Sequence, residues 1–350
     1  MTHFPAVRSI PRSHVAVPRA VDVPDVLRSV RNGAAFAVCY AAASRFADGA
    51  ISTLELPSAV FVPGALVLTA LLLTPLARWW TIIAAALVGH WLATVGQGAP
   101  LTAVLGSFVI DTACSVLAAA LIRNYVDLEW GLSALPSLGA FAIISVAAPT
   151  VALLGSAALF QIAAPIDPTN PNGFASPANA WAAWLISVLS YPLAYLTIVP
   201  VALASHGALT NAFATRSRLV VRWTRAVEAV LLTGAVTAVS SVVFEPMPAH
   251  PVAQVILLFS PVPLVLYAAF RFGLAGAGLA LFIAACGAMR GAMNEAALIR
   301  ATPAGLAVVV QQLLFLAVAT PLLFLAAAID ERRRAATELA AREARYALAT

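Results

Sequence analysis

Between residues 31 and 329 the chain is a succession of apolar runs, each close to the length that crosses a hydrocarbon layer. A spanning helix needs about 20 mainly apolar residues. Bounding such runs by charge, proline or glycine gives ten: 31–47, 58–76, 79–95, 101–123, 134–160, 178–204, 225–244, 252–270, 273–290 and 303–329. The first carries Arg45 at its far end, where a long stem reaches the headgroups. No water-soluble globule can be built from such a chain, because 62% of its residues are hydrophobic and 10% charged, against roughly 45–50% and 25% in soluble domains. Three cysteines without framework spacing and the absence of a short repeat exclude disulfide-rich and fibrous classes. The expected fold is an all-α polytopic membrane protein of about ten transmembrane helices, within a range of eight to ten.

The arginines orient it. The net charge is +5, no lysine is present, and all 20 basic residues are arginines scattered between the apolar runs, so the charge concerns membrane orientation and not nucleic acid. With the amino terminus inside, 17 arginines fall on the cytoplasmic side and only Arg45, Arg290 and Arg300 outside. Ten spans with both termini cytoplasmic satisfy the retention of positive charge inside. All-arginine, alanine-rich usage points to a high-GC bacterial genome, hence a multi-pass protein of the bacterial inner membrane.

Three regions follow. Residues 1–30, with prolines, arginines and no apolar core, are expected to form a disordered cytoplasmic tail. Residues 31–329 form the membrane domain. Residues 330–350 change abruptly to charged helix formers without proline or glycine, so the last span is expected to continue into the cytoplasm as one helix. There Ala335, Leu339, Arg342 and Tyr346, spaced four, three and four apart, form a narrow seam that a parallel partner could use, giving a homodimer. A charged helix lying free or on the membrane surface is the competing reading.

The chain offers little chemistry. Cys39, Cys114 and Cys286 lie in separate spans, the five histidines are dispersed, and there is no phosphate-cradling glycine loop, nucleophile elbow or carboxylate pair. Neither an enzyme nor a metal or other cofactor is expected. Asp111 stands out, because a charge near the middle of a span costs roughly 2.5–3.5 kcal/mol on insertion scales. His90 and Ser107 are its nearest conceivable polar company, and the three form the candidate ligand-binding or gating set. The alternative is a structural aspartate that ties helices together. Prolines inside spans, including Pro63, Pro75, Pro149, Pro192, Pro261, Pro263 and Pro321, bend helices, as transporters do at midplane sites, although irregular packing around a cavity or at interfaces is the commoner explanation. Arg78, Trp79 and Trp80, with Trp181 and Trp184 at the other face, are read as interfacial anchors.

Several segments resemble a family. Phe-Val-Pro-Gly-Ala at 61–65 running into the apolar stretch 66–73, Arg-Trp-Trp at 78–80 with its following span, and Trp-Ala-Ala-Trp at 181–184 occur in order. Pro-Leu-Val-Leu-Tyr-Ala-Ala-Phe-Arg-Phe-Gly at 263–273, Gln-Gln-Leu-Leu-Phe-Leu at 311–316 and Ile-Asp-Glu-Arg-Arg-Arg-Ala at 329–335 follow. Together, over residues 31 to 346, these resemble the bacterial membrane-associated sensor domains of the first class, the multi-span input modules of histidine kinases and diguanylate cyclases. In the sixth span the family's aspartate and glycine are absent, with Val188 and Tyr191 near their places. The resemblance implies a sensory input module that binds a small molecule or reads membrane state. It passes the signal through a cytoplasmic helix, here carrying Asp330, Arg332, Leu339 and Tyr346. Arg-Tyr-Ala-Leu-Ala-Thr at 345–350 is similar to the opening of a PAS module, which implies an input half separated from its output. A small-molecule transporter or permease is the alternative, and a scaffold recruiting partners through the loop from Arg216 to Arg225 is a third reading.

Overall fold

The computed structural model describes residues 23–51, 59–95, 101–126, 132, 134–163, 177–214, 219–243, 259–293 and 304–349. Every regular element among them is helical, as it must be where no water is present to satisfy exposed backbone groups. We number the α-helices α1 (Val23–Ile51), α2 (Val62–Leu73), α3 (Trp79–Thr94), α4 (Leu101–Tyr125), α5 (Leu135–Ala163), α6 (Pro177–Ala214), α7 (Leu219–Val243), α8 (Pro261–Met293) and α9 (Ala304–Ala349). Seven of the described helices are long and apolar enough to cross a membrane. The chain is therefore an all-α, multi-pass membrane protein. The first helix starts at Val23, within the stretch read as a tail, whose residues 1–22 lie outside the described residues.

Three of the ten predicted spans take two unexpected forms. The run 58–76 yields only the 12 residues of α2, about 18 Å at 1.5 Å per residue and well short of a hydrocarbon core. Pro75 explains the stop. The residue before a proline is driven out of the helical region, and Thr74 is extended at φ −108°, ψ 135°. Nine of the twelve residues of α2 are buried, including Ala65, Leu68 and Leu71. Such burial makes it an interior element walled by longer helices.

The second form is α8, in which the runs 252–270 and 273–290 meet at Gly273 with φ 68°, ψ −152°. The two legs fold back on each other. Val262 and Val265 of the first leg line one crevice together with Ala284 and Leu281 of the second, positions symmetric about Gly273. A Cβ at Gly276 would also lie 2.7 Å from the carbonyl oxygen of Ala268. This is a helical hairpin with a one-residue turn, in a backbone region that only glycine occupies readily.

Because lipid tails are as apolar as leucine, helices here associate through close packing and polar contacts. Small residues allow that approach. A Cβ on Gly278 would meet the Thr197 carbonyl oxygen at 2.6 Å, and one on Gly89 the Ala37 carbonyl oxygen at 2.6 Å, so the second leg of α8 lies directly against α6, and α3 against α1. The spanning part of α6 is 67% buried and forms the centre of the bundle, whereas that of α7 is 17% buried. The peripheral α7 is held to the first leg of α8 by Glu228. Its carboxylate oxygens accept from Arg271 Nε at 2.7 and 2.8 Å, and one accepts from the Tyr267 hydroxyl at 2.6 Å.

The 46 residues of α9 form one helix about 70 Å long, more than twice a hydrocarbon thickness. Val308, Gln312, Leu323 and Ala326 are buried in the bundle, while residues 331–346 are exposed throughout. The charged segment thus continues the last span without a break. Leu339 and Tyr346 are 59% and 75% exposed, and Arg332 is exposed as well.

Candidate functional site

Helix α4 carries Ser107, Asp111 and Ser115 at intervals of four, which places them along one face. Each reaches a different neighbour. Ser107 Oγ lies 3.3 Å from His90 Nε2 on α3, and His90 Nδ1 lies 3.5 Å from the Tyr40 hydroxyl on α1. One turn further along, Asp111 Oδ1 accepts the Tyr191 hydroxyl of α6 at 2.5 Å. A turn beyond that, Ser115 Oγ lies 3.2 Å from the Tyr195 hydroxyl and donates to the Gly64 carbonyl of α2 at 3.3 Å and the Asp111 carbonyl at 3.1 Å.

The partner of Asp111 is therefore Tyr191 and not His90 or Ser107. Those two are joined to each other, and the Phe108 ring packs on His90 with centroids 5.6 Å apart. Tyr191 and Tyr195 are 2% and 0% exposed, so their hydroxyls, placed four residues apart on α6, depend on these contacts for satisfaction. Gly64 gives Tyr191 its path. A Cβ there would meet the Phe61 ring at 2.6 Å and the Tyr191 ring at 3.3 Å, and the rings of Phe61 and Tyr191 pack at 5.0 Å. Asp111 is half-buried, and its second carboxylate oxygen makes no hydrogen bond among the described residues. The site is thus an acid set among phenols and aromatic rings, with one oxygen free to accept.

Both ends of α2 are secured from outside. At its start the fully buried Gln312 of α9 donates through Nε2 to the carbonyls of Ala59 and Ile186 at 2.8 and 3.2 Å, and the Phe61 amide donates to the Ser190 carbonyl at 3.4 Å. At its end Arg123 Nη2 donates to the carbonyls of Leu71, Leu72 and Thr74 at 2.9, 3.0 and 2.5 Å. A cation on the negative end of a helix is the favourable sign. Trp79 adds its indole N–H to the Leu71 and Thr74 carbonyls, with its ring under the guanidinium at 5.3 Å. Of the two tryptophans read as interfacial anchors at this turn, Trp80 faces outward at 68% exposure, whereas Trp79 turns inward to cap α2.

A third polar contact joins α9 to the hairpin. Asp330 accepts the amide hydrogen of Leu274 at 2.9 Å, the first residue of the second leg. Arg333 donates to the Phe270 carbonyl, at the end of the first leg, with its guanidinium 4.9 Å over the Phe270 ring. Acid meets the positive start of one leg and base the negative end of the other, matching both helix dipoles. Glu331 adds a longer contact, accepting from the Leu135 amide at 3.5 Å.

Sequence reasoning singled out Asp111 but missed Tyr191, Tyr195, Ser115, Arg123 and Gln312. The spacing of Ser115 from Asp111, and of Tyr195 from Tyr191, is the signal that could have found the first three. No protein family, curated protein or solved structure matches the chain.

Proposed function

We propose that this chain is the membrane input module of a bacterial signal-transduction protein, with ten crossings, the second made by the short α2 together with the residues on either side of it, both termini cytoplasmic, and α9 as its output lever. The observation that carries the reading is the continuity of α9. One helix runs from the buried Gln312 beside α2, past the Asp330 contact with the hairpin, to a fully exposed charged end. A rearrangement in the bundle that moves α9 must move that end, since packed helices shift between discrete arrangements and do not deform gradually. The Asp111–Tyr191 site is the place where a ligand would bias the arrangement. A ligand does so only by its difference in affinity between two states.

The test is to graft residues 1–346 onto a histidine kinase core and insert one to four residues after Arg334. Output that follows the helical phase of the insertions supports the lever. Indifference to every insertion contradicts it.

A second reading, a small-molecule transporter, draws on α2, an interrupted helix whose ends are both held inside the bundle, as in transporter midplane sites. Solute flux in proteoliposomes, absent in an Asp111→Asn variant, would favour it over the input module.

A further inference from the structure

We propose that the wedge between the Gly273 hairpin and α9 binds a small, uncharged, lipid-soluble molecule that carries one hydrogen-bonding head, received by Gln311. The walls are Val262 and Val265 from one leg, Leu281 and Ala284 from the other, and α9 itself, with Phe259 at the rim. Phe259 is 53% exposed, so the rim faces the hydrocarbon from which such a molecule would partition. Among the described residues no charged side chain lines the wedge, which argues against an ionic head because a charge in an apolar site without a partner is strongly disfavoured.

Gln311 supplies the polar contact. It is 9% exposed and lines the wedge, yet its amide has no hydrogen-bond partner among the described residues. Its amide atoms are not fully sealed and stay reachable from the wedge, and an amide without a hydrogen-bond partner in apolar surroundings is costly. In the neighbouring Gln312 the amide nitrogen is committed to two carbonyls that hold the start of α2, while its Oε1 is buried without a hydrogen-bond partner among the described residues. Gln311 instead offers both a donor and an acceptor to the wedge, which fits a hydroxyl, a carboxamide or a neutral carboxyl group. The wedge encloses about 50 Å³, so it takes the head and the nearest carbons, and the rest of the hydrocarbon would lie past the rim in the lipid. The same two elements, hairpin and α9, are joined at Asp330, so an occupant that spreads the wedge would bear on the output helix. That consequence rests on the input-module reading, whereas the binding itself does not.

The experiment uses the full chain in nanodiscs, photolysed with a diazirine derivative of octanol, with adducts located by peptide mass spectrometry. Adducts should concentrate on the wedge segments of α8 and α9, and excess octanol should suppress them several-fold more than excess octane does. Gln311→Leu, which removes the amide, should abolish the preference for octanol over octane without lowering the melting temperature. Ala284→Phe, which fills the wedge, should remove the adducts. Labelling spread evenly over lipid-facing helices, or equal competition by octane and octanol in the native chain, would overturn the proposal. Because labelling requires no output, its failure leaves the input-module reading standing. Selective labelling beside a grafted kinase that ignores octanol keeps the site and removes that reading instead.

Discussion

The carboxylate of Asp330 lies so close over Gly273 that any side chain there would collide with it, and it accepts the Leu274 amide hydrogen at 2.9 Å. The turn of the hairpin and the root of the exit helix are in this sense one structure. Gly273→Ala should therefore destabilise the protein twice over, through the Cβ contact and through a backbone region essentially closed to alanine, which costs about 1–3 kcal/mol. The apparent melting temperature in detergent should drop further than for Asp330→Ala, which removes the acceptor without straining the turn. Equal melting of Gly273→Ala and the native chain would contradict the hairpin geometry.

Tyr191→Phe deprives Asp111 of its hydroxyl donor, at a cost of about 1–3 kcal/mol for a polar group left unpaired. Tyr195→Phe should cost less, because Ser115 keeps its bonds to the Gly64 and Asp111 carbonyls. Asp111→Asn retains an acceptor for Tyr191 and should fold, whereas Asp111→Leu should not. Melting of all four variants ranks them, and a Tyr195→Phe loss larger than that of Tyr191→Phe would show the contact to be misassigned. In the grafted kinase, Asp111→Asn should fold yet lose response. Unaltered signalling would leave Asp111 a purely structural residue.

Arg123→Leu leaves the carbonyls of Leu71, Leu72 and Thr74 without their guanidinium. Hydrogen bonds to charged groups are worth roughly 1.5–3 kcal/mol, so the variant should melt well below the native chain, and Arg123→Lys, which keeps the charge at the helix end, should recover part of the loss. A neutral Arg123→Leu would mean that Trp79 alone suffices as the cap.

The helical class and most span limits were legible because apolar runs bounded by charge leave few alternatives. The shortness of α2 was legible too, had Thr74-Pro75 been weighed above the run's hydropathy. The hairpin was half legible, since Arg271-Phe272-Gly273 divides two runs, but the residue that seals its turn stands 57 positions later. Asp111 announced itself by its cost, while its partner could not be read, because a tyrosine 80 residues away on another helix leaves no local trace. The orientation of the whole rests on arginines. Cysteine labelling should find position 172 outside and position 206 inside, and both on one face would remove the ten-crossing topology.

The lever is tested most directly by breaking its joint in the grafted kinase. Asp330→Ala and Gly273→Ala alter the same contact from opposite sides, so each should shift basal output in the same direction, and the double variant should shift it no further than the larger single change, the non-additivity expected of residues in contact. Basal output equal to that of the native chain in both single variants, with the proteins folded and in the membrane, would show that the hairpin does not set the position of the exit helix.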